Sequence, residues 1–402
     1  MLETGETSVA QGSLLATKRY VPPRRVNLVS RPRLLAKLDQ GIGSTLTLVA
    51  APAGSGKTTL LADWLATADH HRTTAWVSLD AGDNDPVRFW AYVLTSLQEA
   101  GTGIDGQGLV LLQAQQPPAI ESILSTVIND LAAAQRDVVL VLDDYHVIQN
   151  RPIHDALAFL IEHLPPRLHL VIVTREDPPL PLPRLRARGQ LTEIRAADLR
   201  FAPGEAAAFL TTAMGLRLTE RDVAALEART EGWIAGLQLA ALSMQGRSDP
   251  AGFIQAFAGN DRYIVDYLVS EVLQRQPDEI RRFLLETSLL DRLSGPLCDA
   301  VTGRDDGAVM LETLERGNLF VVPLDDTRHW YRYHHLFADV LRARLPAEYP
   351  GRSATLHRRA SAWYERAGAM AEAIHHALAG EDAARAADLV ELAAPALRRQ
   401  RQ

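Results

Sequence analysis

The sequence predicts a multidomain chain. An α/β domain with a parallel sheet comes first, followed by a helical domain, a winged helix and the start of an α-helical repeat. Three observations carry this. Apolar runs alternate with helical segments from Leu46 to about Arg200; strands nearly vanish after Phe201; and a helix–helix–helix–hairpin pattern occupies 278–347. At 402 residues the chain is long for one core. Its 47% hydrophobic content supports packed cores rather than disorder.

Residues 1–20 are small and polar and read as a flexible arm. Tyr20-Val-Pro-Pro-Arg-Arg25 is an extended, proline-stiffened entry, and 33–40 is a short amphipathic helix. The runs Leu46–Ala50, Ala75–Leu79, Val138–Leu142 and Leu168–Val173, with a weaker one at Gln190–Ile194, are near-continuously apolar. Strands of that kind between helices belong to a parallel sheet covered on both faces. Residues 101–119, rich in Gly, Gln and Pro, read as a loop. Beyond Phe201-Ala-Pro-Gly204, helices are expected from Pro203, from Leu218 to Gly232, and at 233–245, 251–258 and 261–275. The third unit has helices at 278–288, 295–303 and 307–316, a hairpin of Phe320–Pro323 with Trp330–Tyr333, and a last helix from His334 to Leu345. From Arg352, Ala-, Leu- and Arg-rich helices pair; one such unit cannot bury its own face. The end at Arg398-Arg-Gln-Arg-Gln402 carries no cap, so the native chain is expected to continue or to have been cut. The domains so defined are an arm at 1–20, a nucleotide-binding domain at 21–200, a helical domain at 201–277, a winged helix at 278–350 and a repeat from 351 to 402.

The chemistry begins at Ala51-Pro-Ala-Gly-Ser-Gly-Lys-Thr-Thr59, which follows the first apolar run directly. A strand running into a phosphate-binding loop and then a helix binds a nucleoside triphosphate. Gly54 and Gly56 let backbone N–H groups approach the phosphates without a Cβ, and Ser55 lies between them. Lys57 supplies charge to the β- and γ-phosphates and Thr58 a hydroxyl to Mg²⁺, with Thr59 completing the motif. Ala51 replaces the usual first glycine, which shapes the turn. Of 42 basic residues only Lys18, Lys37 and Lys57 are lysine, so a lysine placed between Gly56 and Thr58 is a specific signal.

Val138–Leu142 delivers Asp143 and Asp144 to the carboxyl end of a buried strand, where parallel sheets bind ligands. Asp143 would orient Mg²⁺ through water, and Asp144 would polarise the attacking water. Arg175, after the next strand, would read the γ-phosphate or stabilise transition-state charge. The expected cofactors are therefore ATP or ADP and Mg²⁺. Leu218-Thr-Glu-Arg-Asp-Val223 looks like the opening of a DNA-recognition bundle, but Glu231-Gly-Trp-Ile-Ala-Gly-Leu-Gln-Leu239 lacks a basic recognition helix, so the segment reads as part of the helical domain. A net charge of −7 argues against a surface built mainly for nucleic acid. One cysteine, Cys298, excludes an internal disulfide framework, and no signal-peptide core or run of about 18 apolar residues is present. A cytoplasmic protein with no membrane contact is expected.

With these pieces in place the chain resembles the MalT-type, LuxR-family ATP-dependent transcription regulators, a branch of the signal-transduction ATPases with numerous domains. The resemblance covers roughly 20–400. It is carried by Val29-Ser-Arg31, the 51–59 loop, Trp76-Val-Ser-Leu-Asp80, Leu142-Asp-Asp-Tyr-His146, Thr174-Arg-Glu-Asp-Pro178, Gly232-Trp-Ile-Ala-Gly-Leu-Gln-Leu-Ala240 and Tyr331-Arg-Tyr-His-His-Leu-Phe337. It implies a switch: ADP holds a closed resting state, a small-molecule or protein inducer and ATP exchange open it into an oligomer, and slow hydrolysis resets it. It further implies that His334 touches the ADP β-phosphate and that backbone groups near Val29 and Arg31 frame the adenine. Gly236-Leu-Gln238 matches a Gly-x-Pro contact with glutamine in place of proline. The family's C-terminal LuxR-type DNA-binding domain is not among these residues, so DNA binding is inherited from the resemblance. The runner-up is a switch ATPase of the same class with a non-DNA output, such as a kinase-linked regulator or defence scaffold. A metabolic P-loop kinase or motor fits the helical tail poorly.

Overall fold

The computed structural model describes residues 14–24, 27–67, 73–134, 136–246, 249–257 and 259–399. Two compact units divide the chain: one of Met1–Val26, Arg31–Ala50 and Lys57–Arg195, the other of Asn27–Ser30, Ala51–Gly56 and Ala196–Gln402.

The first unit is built on β1 (Leu46–Ala50), β2 (Thr73–Ser78), β3 (Val138–Asp143), β4 (Leu168–Thr174) and β5 (Leu191–Arg195), with helices α1 (Pro32–Gly41), α2 (Lys57–Thr67), α3 (Pro86–Glu99), α4 (Gln107–Leu112), α5 (Ile120–Ala132), α6 (Arg151–Glu162) and α7 (Leu182–Ala187). All five strands run parallel in the order β2-β3-β4-β1-β5. Every residue of β1, β3 and β4 is buried, which is why these runs lack polar alternation. A buried histidine in β4 is accommodated by full pairing: His169 Nε2 lies 2.9 Å from Thr47 Oγ1 and Nδ1 2.9 Å from the Ser44 carbonyl oxygen. The register pairs Ala50 with Thr174 and Ser78 with Asp143, so the chemistry-bearing residues at the strand ends share one edge of the sheet.

Two expectations need correction in this unit. The 101–119 segment is not a plain loop. Gly106, at φ 82°, turns the chain into α4, and Leu112 and Gly108 are buried; a Cβ on Gly108 would lie 2.8 Å from Val127 Cγ2. The glycines and glutamines that suggested a loop flank and start a short helix. Most of the expected arm, 1–13, lies outside the described residues, but 14–20 are docked. Ala16–Arg19 form a 3₁₀ turn, Lys18 is buried against Asp83 and Asp80, and Arg19 pairs with Glu99 at 2.7 Å.

Among the described residues the second unit is helical apart from one hairpin. Its elements are α8 (Ala196–Leu199), α9 (Pro203–Ala208), α10 (Glu220–Thr230), α11 (Ile234–Met244), α12 (Pro250–Ala256), α13 (Arg262–Leu268), α14 (Asp278–Thr287), α15 (Gly295–Thr302), α16 (Gly307–Arg316), β6 (Val321–Pro323), β7 (Tyr331–Tyr333), α17 (His335–Glu348), α18 (Arg352–Arg366), α19 (Met370–Ala379) and α20 (Ala383–Arg399). The three helices α14–α16, the antiparallel β6–β7 pair and α17 form the winged helix. The 261–275 segment continues from α13 as a π-helical turn, Val269–Leu273. The end of the expected 251–258 helix, residue 258, lies outside the described residues. A capping box starts α10, with Thr219 Oγ1 accepting from Asp222 N–H. In the closing helices small residues allow close packing: Ala360, Ser361, Ala373 and Ala377 are buried, and Ser361 Oγ donates to the Ala373 carbonyl at 2.7 Å. One continuous apolar cluster runs from Phe201 through Phe337 to Leu389.

Candidate nucleotide site

The loop after β1 takes a conformation that its glycines permit. Gly54 and Gly56 sit at φ 71° and 77°, a region unfavourable to side-chain-bearing residues. Close approach adds a second reason for Gly54: a Cβ there would lie 2.5 Å from Ala235 Cβ and 2.8 Å from the Tyr267 hydroxyl oxygen. Two hydrogen bonds fix the same stretch. Ala235 N–H donates to the Gly54 carbonyl at 3.1 Å, and the Trp233 indole Nε1–H donates to the Ala53 carbonyl at 3.0 Å. Ser55 is buried.

Lys57 opens α2 and is itself buried, with Thr59 half-buried two residues further on. Its pKa is lowered to about 8, chiefly by burial and then by Arg175, against the opposing pull of Asp144 and Asp143. Arg175, Asp144 and Asp143 therefore all act on Lys57. Thr58 Oγ1 donates to Asp143 Oδ2 at 2.9 Å. Burial and neighbouring Asp144 push the Asp143 carboxyl up to about 6, while the Thr58 hydroxyl works the other way. A hydroxyl and a carboxylate in contact form a hard-oxygen donor pair that suits Mg²⁺. Among the described residues no group of three or more His, Cys, Asp or Glu could hold a metal, so an ion at Thr58 and Asp143 would need its other oxygens from phosphate and water. Asp144 departs from ordinary backbone geometry at φ 58°, and its side chain is about half exposed. Strained φ of this sort concentrates at functional sites.

His334 falls in the second unit, immediately before α17, and is 4% exposed. It lines a cavity of about 60 Å³ together with Pro52 and Ser55 of the phosphate loop, Trp233, Asn318 and Phe320. Its Nε2 lies 2.9 Å from the Thr230 carbonyl oxygen, and its buried Nδ1 makes no hydrogen bond. Burial lowers its pKa to about 4, against Glu231 and the Thr230 bond, so the ring is neutral at pH 7. Glu231 accepts two hydrogen bonds from Arg332, at 2.7 and 2.8 Å, and one from His335 N–H at 3.1 Å.

The predicted residues thus divide. Val29, Gly54, Ser55, Gly56 and His334 belong to the second unit; Arg31, Lys57, Thr58, Thr59, Asp143, Asp144 and Arg175 belong to the first, and the chain crosses at the Gly56–Lys57 bond. The Arg31 carbonyl accepts from Leu34 and Leu35 N–H and so is engaged in starting α1. Gln238 does not line the cavity, whereas Trp233 and Ile234 do. Sequence reasoning singled out the Gly232–Ala240 motif but placed its contact at 236–238; the loop is held by Trp233 and Ala235. Glu231 carried no signal beyond its place beside Gly232.

Comparison with known proteins bears on this arrangement. Residues 269–353 match the MalT winged helix domain, and residues 42–173 match an AAA domain. The HTH-type transcriptional regulator MalT of Klebsiella pneumoniae is 38% identical over 379 residues, 94% of this chain and 42% of its own length. The chain is a homologue of the MalT-type regulators. It spans about two-fifths of the length of the MalT relatives it matches. The serine/threonine-protein kinase PknK of Mycobacterium tuberculosis is 37% identical over 366 residues, 91% of this chain and 33% of its own. Among solved structures, a Walker-type ATPase of Pyrococcus abyssi superposes with a TM-score of 0.53 at 16% identity, covering 80% of this chain and 98% of that one, a likeness of fold. Among the described residues no helix of this MalT homologue is long and apolar enough to cross a membrane.

Proposed function

We propose that this chain is the nucleotide-dependent switch of a MalT-type transcription regulator, resting with ADP and self-associating with ATP. The observation that carries the reading is the shared cavity: His334 and the phosphate-loop residues Pro52 and Ser55 line it together. A terminal phosphate held there meets a group that a longer triphosphate, drawn toward Lys57, would leave. In this reading Lys57 binds the β- and γ-phosphates, Arg175 reads the γ-phosphate, and Asp144 orients the attacking water. Thr58 and Asp143 hold Mg²⁺, which neutralises phosphate charge when bound. Hydrolysis is slow and resets the switch. The domain division follows: nucleotide binding at 21–200, a helical domain at 201–277, the winged helix at 278–350 and a sensor repeat from 351. An inducer acts through that repeat, DNA is engaged by sequence outside this chain, and the protein works in the cytoplasm.

The kinase relative favours a second reading. A chain 37% identical to PknK over 91% of its length serves a non-DNA output equally well. Both readings share the switch. It is tested by His334→Ala. One hydrogen bond between histidine and phosphate is worth about 1–3 kcal/mol, so ADP should weaken by roughly 5- to 150-fold while ATP affinity holds. Equal loss of both, or loss of neither, refutes the assignment of His334.

A further inference from the structure

We propose that Glu231 is a positioning residue for His334: it supports a proton held between His334 Nδ1 and a terminal phosphate oxygen, so that a nucleoside diphosphate takes up a proton as it binds. The inference rests on the reading above, in which His334 meets that phosphate.

The hydrogen-bond directions require the proton. A carbonyl only accepts, so at 2.9 Å from the Thr230 oxygen His334 Nε2 must be the donor. A neutral ring that spends its one N–H on Thr230 presents a bare lone pair at Nδ1, and Nδ1 is buried and without a partner. A phosphate oxygen is an acceptor as well. Two acceptors cannot approach without a proton between them. Whether it is drawn formally on nitrogen or on phosphate, the balance is the same: one proton leaves solvent, an N–H···O bond forms, and no covalent bond to phosphorus changes.

The surroundings are arranged to receive positive charge there. Thr230 is the last residue of the eleven-residue helix α10, so its carbonyl is at the negative end of the helix dipole. Glu231 follows it. Burial works against that carboxylate, but the Arg332 guanidinium, the His334 ring and the His335 N–H hold its pKa down to about 2, so it stays charged. Opposing it are Arg200, whose guanidinium lies 3.5 Å from Glu231, and His335 beside it. Arg332, from β7, pairs with Glu231 at 2.7 Å and so holds that carboxylate in place. Glu231 also occupies φ 49°, a left-handed conformation that glycine adopts more readily.

The test is calorimetric titration of the whole chain with Mg²⁺-free ADP at about pH 8, in buffers of different ionisation enthalpy. Wild type is expected to take up most of a proton, and its ADP affinity to rise up to about tenfold for each pH unit lowered. Glu231→Gln keeps the shape of the Arg332 contact without the charge; uptake and the pH dependence should shrink and ADP should weaken. If Glu231→Gln fails to fold, Glu231→Gly, which relaxes the backbone, carries the same comparison. Wild-type uptake of zero, with His334→Ala still weakening ADP, overturns this inference and leaves the contact standing. His334→Ala with no effect on ADP removes the contact itself. Glu231→Gln with wild-type uptake and affinity makes Glu231 a structural clamp and refutes its positioning role.

Discussion

Replacing Gly54 by alanine tests how tightly the phosphate loop is held by the 233–267 segment. The new methyl would sit at φ 71°, 2.5 Å from Ala235 Cβ, 2.8 Å from the Tyr267 hydroxyl and 3.3 Å from Trp233 Nε1. The left-handed backbone costs about 1–2 kcal/mol, and forcing a methyl into an occupied space costs about 1–3 kcal/mol. If the loop moves instead, the Ala235–Gly54 and Trp233–Ala53 hydrogen bonds lengthen, each worth about 0.5–1.5 kcal/mol net. Either route predicts a loss of roughly 2–5 kcal/mol in urea unfolding. Gly215 provides the control: it has φ 70° and nothing within 4 Å of an added Cβ, so Gly215→Ala carries the backbone penalty alone. Both variants should fold, and Gly54→Ala should have the lower midpoint and the weaker nucleotide affinity. Equal midpoints for the two would show that the contacts around Gly54 do not constrain the loop.

Lys57→Ala removes the charge proposed to bind the β- and γ-phosphates; ATP should weaken by about 10- to 150-fold by calorimetry, and unchanged affinity would defeat the phosphate-loop assignment. Asp144→Ala should bind ATP normally yet cleave it about 10²- to 10⁴-fold more slowly in a single turnover, accumulating the oligomer in sedimentation; a wild-type rate would remove Asp144 from the chemistry. His376, buried beside His357 with Nδ1 atoms 2.8 Å apart, has its pKa lowered to about 4 by burial and then by the neighbouring histidines. The unfolded chain therefore takes up a proton at this position below about pH 6.5 that the folded chain refuses, so stability should fall as pH drops from there toward 4. Urea midpoints across that window should flatten in His376→Gln; an equal slope would mean that other groups govern the acid limb.

The sheet was legible because its signals are local. Leu46–Ala50, Val138–Leu142 and Leu168–Val173 are apolar runs that no helix face would leave unbroken, and Gly54 and Gly56 mark where the loop between Ala50 and Lys57 takes positive φ. From there Thr58 and Asp143 meet because parallel strands bring their ends to one edge. What was not legible depends on partners distant in sequence. Lys18 looked like part of a polar arm because its buried carboxylate, Asp83, lies 65 residues away. Trp233 reads in the sequence as part of the helical domain, and it is buried there, but its indole N–H reaches the carbonyl of Ala53, 180 residues away. Glu231 was hidden for another reason: its backbone conformation, which marks it, has no signature in composition or periodicity.

These contacts set a limit on what any one residue can do in the proposed switch. The Trp233 ring lies 5.1 Å from Phe320 and 6.0 Å from His334, and its indole holds the loop through Ala53, so one aromatic side chain touches both the phosphate loop and the residues flanking the winged-helix hairpin. A ligand shifts a conformational equilibrium only by its difference in affinity for the two states. Moving a population from 1:99 to 99:1 needs about 5.5 kcal/mol of difference, whereas one histidine–phosphate hydrogen bond supplies about 1–3 kcal/mol. His334 alone therefore cannot throw the switch. In the proposed switch the rest would come from contacts that distinguish the γ-phosphate, the role proposed above for Lys57, Arg175 and the Thr58–Asp143 pair. It follows that His334→Ala should raise the self-associated fraction without saturating it, and that combining it with Asp144→Ala should raise that fraction further than either change alone.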